Sequence, residues 1–135
     1  MNYDSYKRLE SLGKGGNGRV IVIEDEEGKQ FALKIVTAKK GPRLERFILE
    51  ARKMHELYNE GQKGIIPVIA YQLPSEQTNE YSYLMPIATP LKAVDPFPLD
   101  IYERVLIFKQ LASILSELHF KGISHRDIKP ENILF

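Results

Sequence analysis

The sequence predicts an α+β fold: a five-stranded antiparallel sheet with one helix, followed by a second, long helix and a terminal loop. Three observations carry this. Runs of strand length rich in β-branched and aromatic residues, such as Val20-Ile21-Val22-Ile23, alternate with glycine-bearing turns. Apolar residues recur at helical spacing in two stretches, one beginning at Leu44 and one at Ile101. Between them Pro86, Pro90, Pro96 and Pro98 interrupt regular structure, which predicts a boundary between residues 1–88 and 89–135.

Residues Tyr6 to Val36 read as a strand meander. The first strand runs to about Leu12 and is followed by a glycine cluster. The second is Val20 to Ile23, the turn Asp25 to Gly28 follows, and Gln30 to Val36 forms the third. Gly41-Pro42 ends the meander, and Leu44, Phe47, Ile48, Ala51, Met54, His55 and Tyr58 then mark one amphipathic helix that stops at Gly61. Ile65 to Leu73 and Tyr81 to Ile87 are apolar runs of strand length that extend the sheet on either side of a polar loop. Asp100 followed by Glu103 opens the long helix as a capping box, and Gly122 closes it. Its apolar residues cover about half the circumference, wider than a stripe that meets one partner, so the Asp100–Lys121 helix is expected to be covered by a partner chain or a second copy.

Composition narrows the function classes. At 135 residues, 43% hydrophobic and 27% charged, the chain has the length and composition of one folded domain rather than of a disordered segment. Its 19 basic and 18 acidic side chains nearly cancel, so it has no bulk attraction for nucleic acid. The absence of cysteine excludes disulfides, thiolate metal sites and a cysteine nucleophile, and fits a cytoplasmic setting. Ile65 to Tyr71 is too short to cross a bilayer, so no membrane partner is expected.

The glycine cluster Gly13, Gly15, Gly18 with Val20 spells G-x-G-x-x-G-x-V. A plain glycine-rich hairpin would explain it alone. A Rossmann site would need its third glycine to open a helix, but here it opens a β-branched strand, and no Gly-Lys-Ser/Thr follows to make a Walker loop. What remains is a strand-turn-strand flap whose backbone N–H groups can approach phosphate oxygens, and such a flap needs a cation. Lys34 lies on the same strand face as Ala32 and Val36, where an ordinary lysine would snorkel. At about 100° per residue, Glu45 and Glu56 fall opposite the first helix's apolar stripe, whereas Glu50 falls at its edge and can face the sheet.

Ser124-His125-Arg126-Asp127-Ile128-Lys129-Pro130-Glu131-Asn132 matches H-R-D-x-x-x-x-N in full. With the glycine cluster, Ala32-Leu33-Lys34, Glu50 and Met85 to Ala88 in the same order, the chain resembles the eukaryotic-type protein kinases. The resemblance implies an ATP- and Mg²⁺-dependent enzyme transferring phosphoryl groups to protein hydroxyls. Gly13, Lys14, Gly15, Gly16 and Gly18 would cover the phosphates, Lys34 would hold them and be aligned by Glu50, and Asn132 would ligate Mg²⁺. Asp127 would take the hydroxyl proton, and Lys129 resembles the lysine of serine/threonine kinases that touches the transferring phosphate. Val20 and Ala32 would form the ceiling of an adenine pocket, Leu134 its floor and Met85 its gatekeeper. The Pro86 carbonyl and the Ala88 N–H would meet the base.

Two departures stand out. Asn17 occupies a loop-tip position where relatives often carry an aromatic. The chain also ends three residues after Asn132, before any D-F-G aspartate, so the resemblance implies the N-lobe, first C-lobe helix and catalytic loop of a kinase domain. Negligible phosphotransfer by this chain alone is therefore expected. The alternative is a non-catalytic, pseudokinase-like module that binds nucleotide or a protein partner.

Overall fold

The computed structural model describes residues 3–15, 18–37, 41–73, 80–93 and 99–134. The chain divides into two compact units, one of residues 1–62 and 66–87 and the other of residues 63–65 and 88–135.

The first unit is built on strands β1 (Lys7–Gly15), β2 (Gly18–Glu24), β3 (Gln30–Thr37), β4 (Ala70–Gln72) and β5 (Glu80–Met85), with helix α1 (Pro42–Asn59). All neighbours pair antiparallel in the order β1-β2-β3-β5-β4. Because side chains alternate along a strand, the register sorts them onto two faces. One face gathers Ile23, Phe31, Leu33, Ile35, Ala70 and Leu84. The other carries Val36 and Tyr83, against which α1 packs Phe47 and Ala51. Tyr3, ahead of β1, is buried on the first face and places its hydroxyl on Ser82.

Helix α1 starts at Pro42, two residues ahead of the apolar spacing that marks it. Pro42 stands in the first helical turn, where a missing N–H costs nothing, and Leu44, Phe47, Ala51 and Leu57 form the buried stripe. At the far end Gly61 has φ 74°, and the N–H groups of Gly61 and Gln62 close onto the carbonyls of Tyr58 and Leu57. This is the Schellman arrangement that glycine permits.

The fourth strand differs from expectation. The strand covers only Ala70–Gln72, with the Ile69 N–H on the Leu84 carbonyl at 2.8 Å just ahead of it, although Ile65 to Leu73 has strand composition. Pro67 has no N–H to give a ladder, and the carbonyl of Val68 accepts from His55 Nδ1 at 2.7 Å instead of from a strand. The fifth strand stops at Met85, one residue before Pro86, rather than at Ile87. The first strand runs past Leu12 to Gly15 because β2 pairs with it along that length.

The second unit contains helix α2 (Ile101–Phe120). Its capping box is complete: the Asp100 carboxylate accepts from the Glu103 N–H at 2.9 Å, and the Glu103 carboxylate accepts from the Asp100 N–H at 2.8 Å. Gly122, with φ 73°, ends it as Gly61 ends α1. Leu118 is its one buried residue, and Ile101, Tyr102, Val105, Leu106 and Phe108 stand exposed. Among the described residues, no helix is long and apolar enough to cross a membrane.

Candidate functional site

The glycine cluster forms a hairpin whose pairing runs through Gly13↔Val20 and Lys14↔Arg19 to Gly15↔Gly18. Gly16, assigned to the phosphate flap from sequence, lies outside the described residues, as does Asn17. The remaining glycines serve different ends. Gly18 has φ +123°, and a β-carbon there would come within 2.8 Å of Val36 Cγ2 and collide with the Ile35 carbonyl oxygen, so sheet packing alone requires glycine. A β-carbon at Gly13 would meet nothing within 4 Å, which leaves that stretch of backbone open to a ligand.

Register places the next residues. Val20 pairs across to Lys34 and Lys34 to Tyr83, while Val22 pairs to Ala32 and Ala32 to Met85. Val20, Ala32, Lys34, Tyr83 and Met85 therefore share the sheet face on which α1 lies. Lys34 Nζ reaches Glu50 Oε1 of α1 at 2.9 Å, with the lysine side chain 20% exposed and the glutamate 43%. Its ammonium stands 5.1 Å from the Tyr83 ring centroid and 5.9 Å from that of Phe47, within cation–π range of both. Tyr83 donates its hydroxyl to the same Glu50 oxygen at 2.8 Å. Burial first, then the Glu50 charge, push the Tyr83 phenol well above its ordinary range, so it remains a donor. Pro86 and Ala88, expected to meet a purine, follow β5, and both are half-buried.

The second unit holds the other group. Asp127 Oδ2 accepts from Lys129 Nζ at 2.9 Å and from Asn132 Nδ2 at 2.8 Å, and the Asp127 carbonyl accepts from the same amide nitrogen at 2.9 Å. The Lys129 contact, then the Asn132 hydrogen bond, hold the Asp127 carboxyl below the usual carboxylate range, and Asp127 raises Lys129 in return. Arg126 sits at φ 63°, the left-handed conformation that a non-glycine residue enters only at a cost. Leu134 makes an isolated antiparallel bridge to Pro90, supported by the Leu91 N–H on the Ile133 carbonyl at 2.7 Å.

The donor chemistry bears on a metal. Because both acceptors facing Asn132 belong to Asp127, its amide nitrogen is committed and its oxygen is the atom that can meet a cation. A neutral oxygen suits Mg²⁺, but it is one ligand, and the described residues contain no group of three or more His, Asp or Glu side chains that could hold a metal ion. The residues fit an ion that arrives with its own phosphate ligands.

Sequence reasoning missed two tyrosines. Tyr3 lies ahead of every element read from the sequence, and Tyr83 falls inside the apolar run Tyr81 to Ile87 with no role of its own. For Tyr83 the signal was available in the alternation that puts it on the Lys34 face. For Tyr3 no periodicity points inward.

The Protein kinase domain family matches residues 6–135. The chain is 32% identical to calcium-dependent protein kinase 5 of Plasmodium berghei, covering 100% of this chain and 25% of that protein. It is 31% identical to the serine/threonine-protein kinase PknD of Mycobacterium tuberculosis, covering 98% of this chain and 20% of that protein. It is 32% identical to MAP kinase-interacting serine/threonine-protein kinase 1 of Xenopus tropicalis, covering 93% of this chain and 30% of that protein. The chain thus spans less than a third of the length of each of these relatives.

Proposed function

Since the chain belongs to the protein kinase domain family, we propose that it binds Mg·ATP and is part of a serine/threonine protein kinase. One observation carries the reading: Lys34, paired to Glu50 beside two aromatic rings, shares a sheet face with the apolar residues Val20, Ala32 and Met85. Apolar side chains suit a purine, and an ammonium held in place suits the α- and β-phosphates. The backbone of Gly13, Lys14, Gly15, Gly16 and Gly18 supplies N–H groups to the same anion.

In the phosphoryl transfer itself Asp127 orients the acceptor hydroxyl and takes its proton at Oδ1 or Oδ2. Lys129 neutralises charge on the transferring group, and its presence two residues after Asp127 is the ground for Ser/Thr acceptors. Asn132 would hold Mg²⁺ through its amide oxygen, and the ion would supply charge neutralisation between phosphates. The 135-residue sequence has no Asp-Phe-Gly to add a second protein ligand, so the chain by itself is expected to transfer negligible phosphate. A cytoplasmic setting suits a cysteine-free chain.

Calorimetric titration with Mg·ATP tests the reading: wild type binds, and Lys34→Ala binds at least about tenfold more weakly, the ratio that ~1.4 kcal/mol gives. Equal affinities would overturn the nucleotide site. Turnover abolished by Asp127→Ala would overturn the expected inactivity. A second reading draws on the exposed residues of α2: a non-catalytic module that meets a protein partner or a second copy through that face. A monomer at high concentration in sedimentation would count against the second copy.

A further inference from the structure

We infer that Tyr83 is a positioning residue, whose hydroxyl fixes the Glu50 carboxylate so that it presents Lys34 to the nucleotide phosphates. The inference rests on the nucleotide-site reading above and adds a residue that none of the kinase motifs contains.

The geometry is specific. Tyr83 is 2% exposed, in a strand with paired neighbours on both sides, so its backbone has no freedom to wander. Its ring stacks on Phe47 of α1, with centroids 5.2 Å apart and planes 21° from parallel. From that fixed ring the hydroxyl reaches Glu50 Oε1 at 2.8 Å, the oxygen that also receives Lys34 Nζ at 2.9 Å. A carboxylate oxygen offers two lone pairs, and here each has a donor. Without the phenol, a glutamate side chain 43% exposed would be held by one contact to a long, flexible lysine. With it, the carboxylate is tied to the sheet as well as to the amine, and the orientation exists before any nucleotide arrives. Preorganisation of this kind lowers the cost of binding where the phosphates sit and does nothing for the purine.

Tyr83→Phe removes the O–H and keeps the ring that stacks on Phe47. In the full chain it is expected to weaken Mg·ATP binding about threefold to tenfold, the scale of the net contribution of an ordinary hydrogen bond, and to leave adenosine binding unchanged. Added to Glu50→Ala, it should cost nothing further, because Tyr83 acts through Glu50. The proposal is overturned if Tyr83→Phe binds Mg·ATP like wild type, if it loses Mg·ATP and adenosine alike, or if its loss persists in the Glu50→Ala background. Absence of any Lys34-dependent Mg·ATP binding would sink the nucleotide reading instead. The same double-variant cycle, measured by urea denaturation without nucleotide, then decides the part played by Tyr83: non-additive losses keep it and additive losses overturn it.

Discussion

Lys34 with Glu50 and Lys129 with Asp127 are both lysine–carboxylate pairs closed at 2.9 Å, and they differ in everything around that distance. The partners of the first are 16 residues apart, on a strand and a helix, and a strand register, an aromatic stack and a buried phenol bring them together. The partners of the second are two residues apart on one loop, with side chains 48% and 60% exposed. A local pair of that kind forms wherever the loop turns, and solvent screens most of its energy. The first pair exists only if the sheet and α1 are correctly assembled. Equal distances therefore carry unequal information: the first reports the fold, and the second reports the loop. The first also suits a group that must stay in place, and the second a base that must remain ionised and accessible.

The largest expected break in this comparison comes from removing what stands beside each pair. Phe47→Ala opens a cavity between α1 and the sheet and should destabilise the chain by about 3–5 kcal/mol in chemical denaturation. Ile128→Ala, at a residue 51% exposed in the second loop, should stay within about 0.5 kcal/mol of wild type. Similar costs at the two positions would remove the distinction.

Two glycines sharpen it at a smaller scale. A β-carbon at Gly18 would strike the Ile35 backbone, which cannot yield without breaking the sheet, whereas one at Gly64 would strike only side-chain atoms of Ile114, so that no backbone pairing need break. Both positions have positive φ, so both substitutions carry backbone strain. Gly18→Ala should cost about 3 kcal/mol and Gly64→Ala about 1–2 kcal/mol. The reverse order would show that the hairpin is the softer region.

The smallest effect is electrostatic. Asp127 should titrate below the ordinary carboxylate value of about 3.9 when followed by carbon NMR, and Lys129→Ala should move it upward, because the lysine contact is the main cause of the depression. The folded value lies below the unfolded one, so any stabilisation from this group is present above about pH 4 and lost as pH falls through the folded value. The carboxylate is largely exposed, so denaturation midpoints should scarcely follow it.

These contrasts also explain what the sequence could reveal. The five strands, the two helices and their glycine stops depend on local spacing and turn chemistry, and the structure contains each of them, with the ends of β1, β4 and β5 shifted. Placing Glu50 at the edge of the α1 stripe needed only the helical angle, and Glu50 does meet Lys34. The shortened fourth strand was hidden because the competitor for Val68's carbonyl, His55, sits on a different element. Burial of Tyr3 was hidden for the same reason: its partner Ser82 lies 79 residues away. The hydroxyl contact of Tyr83 required both the sheet register and the seat of α1, and composition encodes neither. Local rules reach residues whose partners are near in sequence or dictated by period, and they stop at side-chain contacts made across elements.

The most direct test sets the two lysines side by side: titration of Mg·ATP into Lys34→Ala and Lys129→Ala in one buffer. At least about a tenfold loss is expected for Lys34→Ala and less than about threefold for Lys129→Ala, because only the first ammonium is held in place by the fold before the phosphates arrive. Equal losses, or no loss at Lys34, would contradict that expectation.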